Sequence, residues 1–169
     1  MHALPPNAPE NLYEAFDYIG SVRQPTVDDF RLMILLEAAG KDMYDALAES
    51  APDPETRQLL IESGRDEYLH AERMAEVVTL LTGEPIAAPS RAENPYLAGW
   101  QKPELSVRLI ENLINAEARG EAMYEGWAAT CPNPDAARLL RMNGREETSH
   151  AERLRLVAER LTRCLRLHE

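Results

Sequence analysis

Apolar positions recur at helical spacing through four long stretches of this 169-residue chain, and caps and breakers bound each stretch. Thr26 and Asp29 form a capping pattern, so a first long helix is expected from about residue 27 to about 50. Asp53-Pro54 supplies an N-cap followed by proline in the first turn. The second helix then runs to about Thr82, with Gly83 as its stop. Pro103 opens a third helix that reaches about Thr130. Asn133-Pro134 repeats the Asp53-Pro54 start, and a fourth helix runs nearly to the C-terminus. The loops within each pair are about three residues long, so the members of a pair are antiparallel neighbours.

Two segments break the pattern. Residues 83–102 hold Pro85, Pro89, Pro95 and Gly99 without helical period, which predicts an extended connector. A helix of this size is about 40 Å long, and a 20-residue linker extends to roughly 65 Å. The linker can cross the whole molecule and start the third helix parallel to the second. The expected architecture is all-α: a ferritin-like antiparallel four-helix bundle with one long crossover, built from two repeated helical hairpins. Its hairpins are residues 27–82 and 103–167, within a domain over 27–169. Residues 1–26 form an N-terminal extension, in which Leu12, Phe16 and Ile19 at helical spacing predict a short amphipathic helix. That helix is expected to lie on the bundle or on a partner subunit.

The two hairpins read as copies. Set without a gap, residues 31–82 and 111–162 agree at 21 of 52 positions, too many in one register for chance likeness of two helices. Glu37-Ala38-x-Gly40-x-x-Met43-Tyr44 recurs as Glu117-Ala118-x-Gly120-x-x-Met123-Tyr124. Gly64-Arg65-x-Glu67-x-x-His70-Ala71-Glu72-Arg73 recurs as Gly144-Arg145-x-Glu147-x-x-His150-Ala151-Glu152-Arg153.

This spacing carries chemistry. Glu37 and Glu67 lie equally far from the turn at Pro52, so they stand at one height in an antiparallel pair. His70 follows Glu67 by three residues and shares its face. Glu117, Glu147 and His150 repeat the arrangement about Pro132. Four carboxylates facing one core would repel each other and lose hydration, at several kcal/mol per ion. Two divalent cations cancel that charge. The metal ligands are therefore read as Glu37, Glu67, His70, Glu117, Glu147 and His150, with no separate catalytic residue beyond them. Mixed oxygen and nitrogen donors suit two iron ions, with manganese as the alternative.

Neighbouring residues are read in two ways each. Tyr44 and Tyr124 sit seven residues after Glu37 and Glu117, either as hydrogen-bond donors to the site or as core aromatics with a polar tip. Gly40, Gly64, Gly120 and Gly144 each cost a helix about 1 kcal/mol relative to alanine. They are read as making room for an imidazole of the other hairpin or for a small oxidant, or as plain close packing. Glu72 and Glu152, each followed by arginine, are expected to form exposed surface pairs. His2 and His168 are terminal bystanders.

Composition narrows the function. A net charge of −11 gives no electrostatic footprint for nucleic acid or an anionic membrane surface. No run of 18 apolar residues exists and the N-terminus has no signal-peptide pattern, so the expected location is cytoplasmic. Cys131 and Cys164 make no C-x-x-C pair, so the chain has no rubredoxin-type iron site.

The stretch Tyr44-Asp45-Ala46-Leu47-Ala48-Glu49-Ser50-Ala51-Pro52-Asp53-Pro54-Glu55, followed by Glu67-Tyr68-Leu69-His70-Ala71-Glu72-Arg73, resembles the rubrerythrin branch of the ferritin-like superfamily. The resemblance covers residues 27–165. It implies a non-haem di-iron centre in which Glu67 and Glu147 bridge the metals, with Glu37, Glu117, His70 and His150 as terminal ligands. Two departures stand out: Gly120 occupies a position where many rubrerythrins carry a further glutamate, and the rubredoxin domain is absent. The ligand set is also that of bacterioferritin-type sites and of di-iron hydroxylases of quinone biosynthesis. The leading expectation is an oxidoreductase of peroxidase or oxidase type that reacts with peroxide or dioxygen. It would take electrons from an external donor protein or from substrate, and it would work as a homodimer or higher homo-oligomer. Iron storage and substrate hydroxylation are the alternatives.

Overall fold

The protein is described by a computed structural model over residues 2–166; His168 lies outside the described residues. Among the described residues five α-helices follow one another: α1 (Leu12–Ser21), α2 (Val27–Glu49), α3 (Pro54–Thr82), α4 (Val107–Thr130) and α5 (Pro134–Arg166). No strand occurs among the described residues, and no helix there is long and apolar enough to cross a membrane.

Local chemistry sets the helix ends. Thr26 and Asp29 form a reciprocal capping box on α2, each side chain bonding the other residue's backbone N–H. Asp53 caps α3 through Glu55 N and Thr56 N, and Asn133 caps α5 through Asp135 N and Ala136 N. Gly83 ends α3 with φ 79°, a left-handed value that favours glycine. The third long helix differs from its expected start at Pro103. It begins at Val107, because the Ser106 hydroxyl accepts from Leu109 N and fixes the first turn there.

Cross-helix contacts fix the topology. His70 meets Glu146 while Asp66 meets His150, so α3 and α5 run antiparallel. Tyr44 bonds Glu117 while Tyr124 bonds Glu37, so α2 and α4 are antiparallel as well. With short turns inside α2/α3 and α4/α5, the second hairpin must start at the far end of the first. Residues 83–106 make that crossing, and the bundle is ferritin-like, as expected.

The linker is not a bare extended tether. A 3-10 turn at Pro95–Leu97 is capped by Asn94, whose buried amide also donates to Leu35 O of α2. Arg91 pairs with Asp42, and Lys102 with Glu49. The linker and α1 thereby cover the outer face of α2, and Phe30, Leu32, Met33, Ile34, Leu35, Leu36, Ala38 and Ala39 are all buried.

The N-terminal helix α1 packs on α2, burying Ala15 and Ile19. Its apolar face is rotated from the expected one, since Phe16 is 38% exposed. Two hydrogen bonds tie this end down. Trp127 Nε1 donates to Val22 O, and the Tyr18 hydroxyl donates to Asp29. Cys131 and Cys164 are both free thiols.

Candidate metal centre

All six predicted ligand residues converge at mid-bundle. Glu37 comes from α2, Glu67 and His70 from α3, Glu117 from α4, and Glu147 and His150 from α5. Both imidazoles are fully buried, and Glu37, Glu67 and Glu147 are nearly so. Their donor atoms form three overlapping groups, each within 4.8 Å: Glu37, Glu67 and His70; Glu67, Glu117, Glu147 and His150; and His70, Glu147 and His150. Glu67 and Glu147 each belong to two groups, so they are the shared carboxylates of the cage.

The imidazoles cross between hairpins. His70 Nδ1 lies 3.3 Å from Glu147 Oε1 and 3.8 Å from Glu37 Oε2. His150 Nδ1 lies 3.1 Å from Glu67 Oε1 and 3.6 Å from Glu117 Oε2. The two rings stack with centroids 5.1 Å apart. Neither half of the cage is complete without the other hairpin, which is why the long crossover matters to the site.

The outer ring nitrogens face a second pair of carboxylates. His70 Nε2 lies 3.0 Å from Glu146, which Arg73 also holds at 2.7 Å. His150 Nε2 lies 3.5 Å from Asp66, an ion-pair distance rather than a formed hydrogen bond, and Arg153 grips Asp66. Such partners orient the rings and direct each Nδ1 inward.

Sequence reasoning missed Asp66 and Glu146. They occupy one register position in both hairpins, but a comparison by identity passes over aspartate set against glutamate. Their acidity in both copies was the available signal. Arg73 and Arg153 are corrected as well. They reach across the bundle to these carboxylates instead of pairing with Glu72 and Glu152, which lie exposed.

Both tyrosines are fully buried and donate to a carboxylate of the opposite hairpin, Tyr44 to Glu117 and Tyr124 to Glu37. Both readings of these side chains therefore hold at once: each is a core aromatic with its polar tip in the site.

The glycines act differently from the expectation about imidazoles. A Cβ at Gly40 would stand 2.9 Å from Glu67 Oε2, and one at Gly120 would stand 2.7 Å from Glu147 Cγ. Gly64 and Gly144 face Tyr44 Cβ and Tyr124 Cβ at 3.2 and 2.9 Å. The missing side chains make room for the shared glutamates of the same hairpin and for close helix approach. Height along an axis is readable from sequence spacing, but the azimuth that decides neighbours is not.

The electrostatics of the cage follow from its burial and its carboxylates. Burial raises the Glu67 and Glu147 carboxyls well above the usual range, and the neighbouring Glu37 and Glu117 charges add to it. Burial opposes charge on His70, yet the carboxylates of Glu146, Glu147 and Glu37 raise it well above its ordinary value. His150 is likewise pushed up to about 12 against its burial, by Asp66, Glu117 and Glu67. Outside the cage, Asp66 and Glu146 are held near about 2, first by the facing imidazole and then by arginine.

The cage thus favours bound positive charge, whether as protons or as cations. Among the described residues, the buried Nδ1 atoms of His70 and His150, and Nε2 of His150, have no hydrogen-bond partner, although each Nδ1 faces carboxylate oxygens. A nitrogen lone pair aimed at a carboxylate is repulsive unless a cation or proton lies between them. The donor set fits two cations with oxygen and nitrogen ligands.

Metal uptake must therefore displace protons. Binding of Mn(II) or Co(II) is expected to release protons and to tighten from pH 6 to pH 8. Titrations in buffers of different ionisation enthalpy measure this. Uptake with no proton release, or with equal affinity at both pH values, contradicts the charge account.

Comparison with known proteins agrees with this geometry. The family model described as Rubrerythrin matches residues 32–158, a span that includes all six cage residues and both tyrosines. Neither the search of curated proteins nor that of solved structures returned a match. The helical bundle, the buried carboxylate–imidazole cage and this match over most of the chain lead to one conclusion: the chain belongs to the rubrerythrin family.

Proposed function

We propose that this protein is a non-haem di-iron oxidoreductase, with Glu37, Glu67, His70, Glu117, Glu147 and His150 as the metal ligands. The observation that carries the proposal is the pair of buried, unpartnered Nδ1 atoms aimed into a cage of four carboxylates. Membership of the rubrerythrin family supports iron over manganese. Two iron ions held there would supply two electrons to peroxide or dioxygen and recover them from a separate reductant.

The chain's own part is preorganisation. Glu146 and Asp66 set the rings through their outer nitrogens. Tyr44 and Tyr124 steady Glu117 and Glu37 by hydrogen bonds. Burial, followed by the charges of those same carboxylates, raises both phenols well above their ordinary value, so they stay protonated and remain donors. The surrounding core keeps bulk water from the cage, which strengthens each of these interactions.

The test is anaerobic loading with Fe(II), followed by rapid mixing with hydrogen peroxide or with dioxygen and absorbance detection. Oxidation of the bound iron by at least one of the two, faster than for free Fe(II), is expected. Stable iron loading with no reaction toward either oxidant refutes the enzymatic reading.

A further inference from the structure

The two halves of the cage match in their ligands but not in what lies behind them. Behind Glu117 stands Tyr44, and the residue three further along α2 is Leu47. Tyr44 is buried among aliphatic side chains that include Leu47, Leu60, Ile110 and Leu154. Behind Glu37 stands Tyr124, and the residue three further along α4 is Trp127. The Tyr124 and Trp127 rings meet edge to face, with centroids 5.5 Å apart. Phe30 also meets the indole edge to face, with centroids 5.8 Å apart. Trp127 Nε1 donates to Val22 O, at the C-terminal cap of α1. Partly buried Met123, Cys131 and Val22 pack in the same cluster.

We propose that Tyr124 and Trp127 form a one-sided electron relay between the Glu37 half of the metal centre and the bundle end under the α1–α2 junction. The proposal rests on the di-iron reading for its purpose, but the relay itself belongs to the protein chain.

Three features suit the pair to this role. First, a buried phenol cannot give up an electron without also releasing its proton. The Tyr124 hydroxyl already donates to Glu37, so a proton acceptor is in place. Second, the indole is in ring contact with that phenol, so the next transfer is short. Third, the indole bonds the backbone of partly exposed Val22, whereas the buried cluster around Tyr44 holds no second aromatic ring.

The step balances as follows. When peroxide or dioxygen has taken electrons from the site that no reductant has replaced, Tyr124 gives one electron to that oxidised site, which is reduced by one, and its proton moves to the Glu37 carboxylate. Trp127 supplies one electron to the tyrosyl oxygen, which recovers its proton from Glu37. The indole radical cation then takes an electron from a one-electron reductant at the surface, such as a thiolate or a reduced flavin. Function as a core filler explains the burial of Trp127. It does not require an aromatic contact to a phenol bonded to the cage.

Photochemistry on the metal-free chain tests the relay without iron. The chain has two tryptophans, so Trp100→Phe leaves Trp127 as the only indole. Pulsed photoionisation at the red edge of indole absorption creates the Trp127 radical. Its absorbance near 510 nm should decay as tyrosyl absorbance near 410 nm rises, which is the reverse of the relay step and reports the same electronic contact between the two rings. Adding Tyr124→Phe should lengthen the indole radical lifetime at least tenfold, while Tyr44→Phe should leave it unchanged. Equal decay with and without Tyr124 overturns the proposal.

A second arm uses the iron-loaded chain with excess peroxide and no reductant. Peptide mass spectrometry should find Trp127 oxidised in the wild type and protected in Tyr124→Phe. Equal oxidation in both would place the damage outside the relay and overturn it. If the photochemical transfer occurs but loaded iron ignores both peroxide and dioxygen, the relay stands and the enzymatic reading fails.

Discussion

Glu67→Gln should leave the chain folded and unable to hold its metals. Glu67 takes part in both the Glu37/His70 group and the Glu117/His150 group, so one substitution damages two sites. The amide keeps the volume of the carboxyl but removes a negative charge from each site. Affinity is expected to fall by more than about 100-fold, beyond the roughly 10–100-fold typical of losing an outer partner.

The same change should stabilise the metal-free protein. Burial and the charges of Glu37 and Glu117 hold the Glu67 carboxyl above its ordinary value, so in the folded state it resists ionisation. A carboxyl raised in this way costs stability above its unfolded pKa, and the cost grows as pH rises toward the folded value. The neutral amide removes that cost. A gain in stability is expected near neutral pH, and it should shrink on acidification. Denaturant melts of both metal-free proteins, with metal content measured in parallel, check this. A Gln variant that keeps both metals, or that is less stable without them, contradicts the charge account.

Gly120→Ala should produce the second large effect. A Cβ there would stand 2.7, 3.0 and 3.1 Å from Glu147 Cγ, Cδ and Cβ. These atoms lie along the stem of the glutamate, so the whole side chain must move. Overpacking of this kind costs about 1–3 kcal/mol, against about 1 kcal/mol gained in helix propensity. Glu147 is the other shared carboxylate, so its displacement should weaken both metal sites.

Two sister variants calibrate the result. At Gly40 the nearest atom is Glu67 Oε2, the free end of a flexible side chain, so Gly40→Ala should disturb folding less. At Gly126 a Cβ meets nothing within 4 Å, so Gly126→Ala should stabilise by about 1 kcal/mol and leave metal binding alone. Equal metal affinity in Gly120→Ala and Gly126→Ala would show that Glu147 does not need the space.

Much of the fold was legible in the chain because its helix ends are written in local chemistry. Thr26 with Asp29, Asp53-Pro54 and Asn133-Pro134 act only on backbone groups within a few residues. Gly83 does the same at the end of α3. The start of α4 was misplaced because Pro103 suits a first turn, while the Ser106 hydroxyl three residues on makes the cap that forms.

The cage residues were legible for another reason. Antiparallel helices joined by a short turn convert sequence spacing into height, so Glu37, Glu67, Glu117 and Glu147 could be placed in one layer. What spacing does not give is rotation about each axis. That is why the neighbours of Gly40 and Gly120 were misassigned, and why Arg73 and Arg153 were paired within their own helices. Asp66 and Glu146 escaped notice because their role depends on α3 and α5 crossing close together. The tyrosines could not be resolved from sequence, since a phenol ring suits a core and its hydroxyl suits a carboxylate equally well.

The central claim is that these six residues hold two metal ions. Anaerobic Fe(II) titration of the full chain, followed by metal analysis after removal of loosely bound iron, tests it most directly. The account predicts two irons per chain in the wild type and loss of both in Glu67→Gln. A wild type that retains none, or a Gln variant that retains two, would contradict it.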